Sequence, residues 1–207
     1  MVDAVVQGGW IMAAIGLCSI IALAVMLERT FALRRRRVIS PSIAQGVEVF
    51  APDTDETALL ALCNTHPGAF SRLVAVIMEM RRLDRALVFE RMRAAGRIEV
   101  DKLERGLTLL EIIAATAPLL GLLGTVWGMM EVFAVISAEG LGDAQLLSQG
   151  ISRALITTIA GLCVAMPALA FHGILTRRVN TLAAEMQDRA TALILRLHAR
   201  QDSANDV

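Results

Sequence analysis

Three stretches of the chain, Ala4 to Leu27, Ile112 to Met130 and Ala154 to Thr176, contain no Asp, Glu, Lys or Arg. At ~1.5 Å per residue each is long enough to cross ~30 Å of hydrocarbon, so three membrane spans are predicted. A helix buried in a soluble core would account for one such run more easily than for three. The first run begins close to Met1 with neither a basic leader nor a small-residue cleavage site, and it is expected to stay as an anchor, with Trp10 at one interface. Between the spans the pattern is amphipathic. Ser40-Pro41 and Pro52-Asp53 punctuate the chain, Asp53 or Thr54 is expected to cap a short helix through about Cys63, and His66-Pro67-Gly68 ends it. A second helix is predicted from Phe70 to near Leu83. From Asp84 there is no proline until Pro118, and Leu103, Leu107 and Leu110 recur, which predicts one helix running on into the second span. Beyond the third span, Val179, Leu182, Met186, Ala190, Leu193 and Leu197 form a 3-4 stripe. Its partner is either this chain's own helices or a seam with another subunit.

The fold class that follows is an all-α integral membrane protein, with three transmembrane helices and long cytoplasmic helical extensions. Residues 1–33 hold an outward N-terminus and the first span, 34–110 a cytoplasmic helical region, and 111–138 the second span. Residues 139–151 form a short periplasmic loop, 152–176 the third span, and 177–207 a cytoplasmic helix and tail. Nothing in the pattern indicates an independent soluble domain.

Composition agrees, with 56% hydrophobic and 19% charged residues. Formal net charge is zero, but the basic residues are unevenly placed: Arg34 to Arg37 follow the first span, nine Lys or Arg lie from Arg72 to Arg105, and Arg177 and Arg178 follow the third. Near the loop between spans two and three there is only Arg153, with Glu139 and Asp143. By the positive-inside rule the N-terminus and that loop face outward and the rest is cytoplasmic. The arginine run abuts a span and is balanced by acidic residues elsewhere, which argues against a nucleic-acid partner and for the lipid bilayer.

Candidate chemistry is sparse. Ala117, Gly121, Gly124 and Gly128 lie along one face of the second span, and Ala154, Thr158, Gly161, Ala165 and Ala168 along a face of the third, so close helix packing is expected. Thr125 lies six residues before Glu131 and Thr158 five residues after Arg153, which places two hydroxyls at nearly one depth. With Thr157 they either line a polar passage or bond their own helix backbone. No Asp or Glu lies mid-span; Glu111, Glu131 and His172 sit toward the ends. A proton path from this chain alone is therefore incomplete, and a partner carrying a carboxylate would complete it. Cys18, Cys63 and Cys163 show no metal or redox spacing, and His66, His172 and His198 are widely separated, so neither a metal site nor a cofactor is expected. A serine-protease reading fails because Ser19 and His172 stand on different spans without a nucleophile motif. No enzyme activity is expected. A passive membrane scaffold stays open beside a channel.

The segment Ala117-Pro118-Leu119-Leu120-Gly121-Leu122-Leu123-Gly124-Thr125-Val126-Trp127-Gly128-Met129-Met130 resembles the second-span signature of the MotA/TolQ/ExbB proton channel family, and Gly150 to Ala168 resembles its third-span signature. With three spans, the resemblance is to the ExbB and TolQ branch and covers nearly the whole chain. It implies a homo-oligomer, a pentamer, in the bacterial inner membrane around a dimer of a small single-span ExbD- or TolR-like protein. Proton flow through that assembly would energise a TonB- or TolA-like protein for outer-membrane transport or envelope maintenance. Thr125 and Thr158 match the family's pore threonines. Arg153 stands where many relatives carry a glutamate, and is expected to act in outer-mouth electrostatics, snorkelling to the outer surface or pairing across subunits with Glu131, Glu139 or Asp143.

Overall fold

The computed structural model describes residues 9–50, 56–139 and 144–205, and every regular element among them is helical. The elements are α1 (Gly9–Ala32), α2 (Arg35–Val38), α3 (Pro41–Val49), α4 (Glu56–Thr65), α5 (Ala69–Glu79), α6 (Arg85–Glu104), α7 (Leu107–Glu139) and α8 (Ala144–Asn205). Three of them, α1, α7 and α8, are long and apolar enough to cross a membrane, as the hydropathy pattern predicts. The start of the first run at Ala4, the Asp53 or Thr54 cap and Asp143 lie outside the described residues.

The helices divide into two compact units. The membrane unit takes α1 to Arg29, α7, and α8 through Ile174. Its buried positions mix small residues, Ala22, Ala117, Ala154, Ala165 and Ala168, with large ones such as Ile11, Met12, Ile15, Met26, Leu110 and Ile113. Large side chains such as Ile20, Leu119, Leu169 and Ile174 point outward, with Ile20 68% exposed. Large side chains on the outward face suit lipid, and small residues between the helices let backbones approach. Pro118 and Pro167 lie inside α7 and α8 without ending them. Each removes one intrahelical donor, a loss that membrane helices tolerate.

The second unit takes Thr30–Arg105 and the rest of α8 from Leu175. Ile39, Ile43, Phe50, Phe70, Leu73, Val74, Ile77 and Met78 form its core with Leu182, Met186, Ala190, Leu193 and Ile194 of α8. The 3-4 stripe beyond the third span thus packs on the chain's own helices. The helices from α2 to α5 are short and α6 is rich in charge, and the core they share includes the distant stripe of α8.

Polar contacts staple the same elements. Arg35 donates to both oxygens of Glu185, and Arg189 bridges Glu48 at 2.6 Å and Glu185 at 3.1 Å. Arg196 donates to the carbonyls of Val47 and Glu48 at 2.8 and 2.7 Å, which satisfies the open C-terminal turn of α3. Glu99 is 5% exposed and accepts from Arg72 and from Lys102. Burial pushes its carboxyl up, but those two hydrogen bonds and charges outweigh burial and hold it below the ordinary carboxylate range.

Two predicted boundaries move. Met80 to Leu83 form a turn rather than the end of a helix, because the Asp84 carboxylate accepts from the Ala86 amide at 3.0 Å and caps a new one. The single helix expected from Asp84 into the membrane is two helices. Arg105 turns to ψ 133° and Gly106 takes φ +85°, a left-handed conformation that costs residues with a Cβ about 1–2 kcal/mol. A Cβ at Gly106 would also lie 2.9 Å from Arg29 Nε, so the position favours glycine twice over.

Candidate functional site

Spans two and three pack antiparallel along the small-residue faces, and the register can be read from what a Cβ would meet at each glycine. At Gly128 it would meet Ala154 Cβ at 2.9 Å, at Gly124 the Thr157 side chain, with Cβ at 2.7 Å, and at Gly121 the Thr158 Cα at 2.9 Å. At Gly161 it would run into the Ala117 carbonyl oxygen. Ala117, Gly121, Gly124 and Gly161 are buried, as is Ala165 one turn further along α8, and Gly128 is half-buried. Gly150, which the small-residue pattern did not single out, packs on Val132 in the same seam. The contact lies within one chain, so these glycines fix the hairpin of spans two and three.

At the middle of that seam sit three hydroxyls. Thr157 is buried and donates to the Ala154 carbonyl at 2.7 Å, with the Gly121 carbonyl at 3.3 Å. Thr158 donates to the Gly121 carbonyl at 3.0 Å, a bond between spans. Thr125 donates to Leu122 at 2.7 Å in its own helix. Thr158 bonds the Gly121 carbonyl and Thr125 the next one, that of Leu122, so the two hydroxyls sit on neighbouring carbonyls of α7, ~1.5 Å apart along the helix. In all three threonines the hydroxyl proton is committed to a carbonyl. What each retains is oxygen lone pairs, which accept from water or solvate a cation. Thr125 and Thr158 are partly exposed, so their oxygens are reachable.

The other candidates stand apart from this group. Arg153 is exposed, and its Nη2 lies 4.0 Å from where a Gly9 Cβ would be, at the start of α1; among the described residues it has no ion pair. Glu131 accepts from Trp127 Nε1 at 2.9 Å. The Glu139 side chain and Asp143 lie outside the described residues. Glu111 is exposed near the other end of α7. His172 reaches the first residue of that helix, with Nδ1 3.0 Å from the Leu107 carbonyl oxygen. Among the described residues no group of three or more His, Cys, Asp or Glu is placed to hold a metal ion. Burial pushes the Cys63 thiol up, away from thiolate chemistry.

Residues 68–188 match the MotA/TolQ/ExbB proton channel family. The chain is 37% identical over 91 residues to the Tol-Pal system protein TolQ of Haemophilus influenzae, an alignment that covers 44% of this chain and 40% of that protein. It is 33% identical over 172 residues to an ExbB-like biopolymer transport protein of Synechocystis, covering 82% of this chain and 68% of the relative. With the biopolymer transport protein ExbB of Neisseria gonorrhoeae it shares 36% identity over 102 residues, or 49% and 46% of the two chains. The matched part thus spans between 40% and 68% of these relatives' lengths.

Proposed function

This chain belongs to the MotA/TolQ/ExbB proton channel family, and from that premise we propose that it is the channel-forming subunit of an inner-membrane motor driven by the proton gradient. The observation that carries the reading is chemical. The paired spans present threonine oxygens with lone pairs free, and no carboxylate lies between Glu111 and Glu131 or between Arg153 and the end of the third span. A hydrated path lined by acceptors lacks only a group that binds and releases protons. A small single-span partner of the ExbD or TolR kind, carrying an acidic residue in its span, supplies it. Five copies of this chain surround a dimer of that partner, with the N-terminus periplasmic and the C-terminus cytoplasmic. Proton flow energises a TonB-like protein for outer-membrane transport. The similarity to TolQ favours a second reading, in which a TolA-like protein is driven for envelope maintenance. Co-purification from native membranes separates them by the identity of the third protein.

The conduction reading is tested with the complete complex in vesicles under an imposed proton gradient. Thr125→Val and Thr158→Val keep shape but remove the accepting oxygen, and are expected to lower partner-dependent flux severalfold with subunit stoichiometry intact; the Ser variants lose less. Wild-type flux from fully assembled Val variants would show that these hydroxyls only pack helices. A complex with no partner-dependent flux would favour the passive scaffold.

A further inference from the structure

We infer that the cleft between α6 and α8 in the second unit seats the exposed face of α6 from a neighbouring copy of this chain, an inference that rests on the reading of several copies above and names where they meet. The cleft holds about 550 Å³. Leu73, Met92, Val100 and Met186 give it apolar walls, and the exposed Arg93 and Arg97 stand at its rim on α6. Gly96 also lines it, and a Cβ there would meet nothing within 4 Å. A glycine inside a helix is destabilising relative to alanine, and no contact within this chain requires one here. It bares the backbone of α6 to an occupant from outside the chain.

A fitting occupant stands on the same helix. Leu87, Ala94 and Ile98 are seven and then four residues apart, so they share one face of α6. That face turns away from the core of the unit, and Ile98 is 56% exposed. At ~100° per residue it lies ~130° around the helix from the centre of the cleft residues Arg93, Gly96, Arg97 and Val100. Ala94 and Ile98 stand at the level of Gly96 and Val100, so a copy related by an axis parallel to α6 brings the face to the open part of the cleft. Burying Ile98 there removes apolar surface from water. The charges agree with this seating. Glu90 is exposed on the flank of the face, and neither it nor Arg93 or Arg97 makes an ion pair among the described residues. Seating the face brings Glu90 of one copy toward the two arginines of the next. Because the face and the cleft are different patches, the contact is head-to-tail, the kind that closes into a ring.

The test uses the full chain in native membranes with the single-span partner that co-purifies with it. Ile98→Cys and Gly96→Cys are made together; the two positions face nearly opposite sides of α6, so they cannot join within one chain. Oxidation is expected to link successive copies into a ladder, severalfold above the wild-type background set by Cys18, Cys63 and Cys163. A pattern no different from wild type, in a variant that native mass spectrometry still shows as the oligomer, overturns this seam and leaves the motor reading standing. A single-copy mass for the wild type overturns the reading of several copies, and this inference with it. A link from Gly96→Cys to the single-span partner overturns the choice of occupant. Should the double variant not assemble, Glu90→Arg and Arg97→Glu decide. Each alone is expected to lower the oligomeric fraction severalfold and the two together to restore it; failure of either the loss or the restoration overturns the seam.

Discussion

Gly161 and Gly173 lie in the same helix and differ in what a methyl group would meet. At Gly161 the obstacle is the Ala117 carbonyl, which is backbone and cannot turn aside, while at Gly173 nothing lies within 4 Å. Gly161→Ala is therefore expected to destabilise the membrane unit by about 1–3 kcal/mol through overpacking. Gly173→Ala is expected to be neutral or stabilising by about 0.5–1 kcal/mol from helix propensity. Thermal melting of both variants in detergent checks the contrast, and equal melting temperatures would contradict the seam. Glu99 gives a pH prediction. Its carboxyl is held below the ordinary value, so its stabilisation is complete above the ordinary carboxylate range near ~4.3 and is lost as pH falls through the lowered value. Glu99→Gln should flatten the acid side of the stability profile and cost about 1 kcal/mol at neutral pH, a small figure because Arg72 and Lys102 are about half exposed. The glycine seam is legible in the sequence because its spacing is local to each span. The Glu99 site is not, since Arg72 lies on another helix and nothing in the spacing marks one carboxylate as buried among many exposed ones.

At the scale of elements, the break at Gly106 is the feature the periodicity misses. An isolated glycine in a periodic run is usually tolerated, and the apolar residues on either side continue the pattern. What decides the break is Arg29, brought against Gly106 from a helix far earlier in the chain. Gly106→Ala should strain the left-handed backbone and press on the guanidinium, costing about 1–2 kcal/mol. Hydrogen exchange should report it as faster opening of the first turn of α7, where the Leu110 amide bonds the Gly106 carbonyl. Unchanged exchange there would show that the turn accommodates a side chain. The prolines lie inside the predicted spans and stay inside the helices. Pro118 and Pro167 look like helix ends in a soluble pattern, yet in apolar helices of this length they remain interior.

For the whole molecule, the three spans and their order follow from hydropathy, because composition over ~20 residues outweighs local detail. The second compact unit does not, since its core joins residues that two membrane spans separate in sequence. Removing residues 177–207 should therefore leave α2 to α6 without Leu182, Met186, Leu193 and Ile194, and limited proteolysis should cut rapidly within residues 34–105 while α1 and α7 stay protected. Slow cleavage there would mean that the short helices hold together unaided. The same connectivity sets an order of events during synthesis. The first half of this core leaves the ribosome about 90 residues ahead of the stripe that completes it, a delay of roughly 4–18 s at ~5–20 residues per second. Through that interval Phe70, Leu73, Val74 and Ile77 have no finished interior to enter, while the next two spans are still being delivered to the bilayer. The nascent chain therefore needs a temporary cover for those side chains, from a chaperone or the membrane surface, and its yield depends on how fast the last helix is translated.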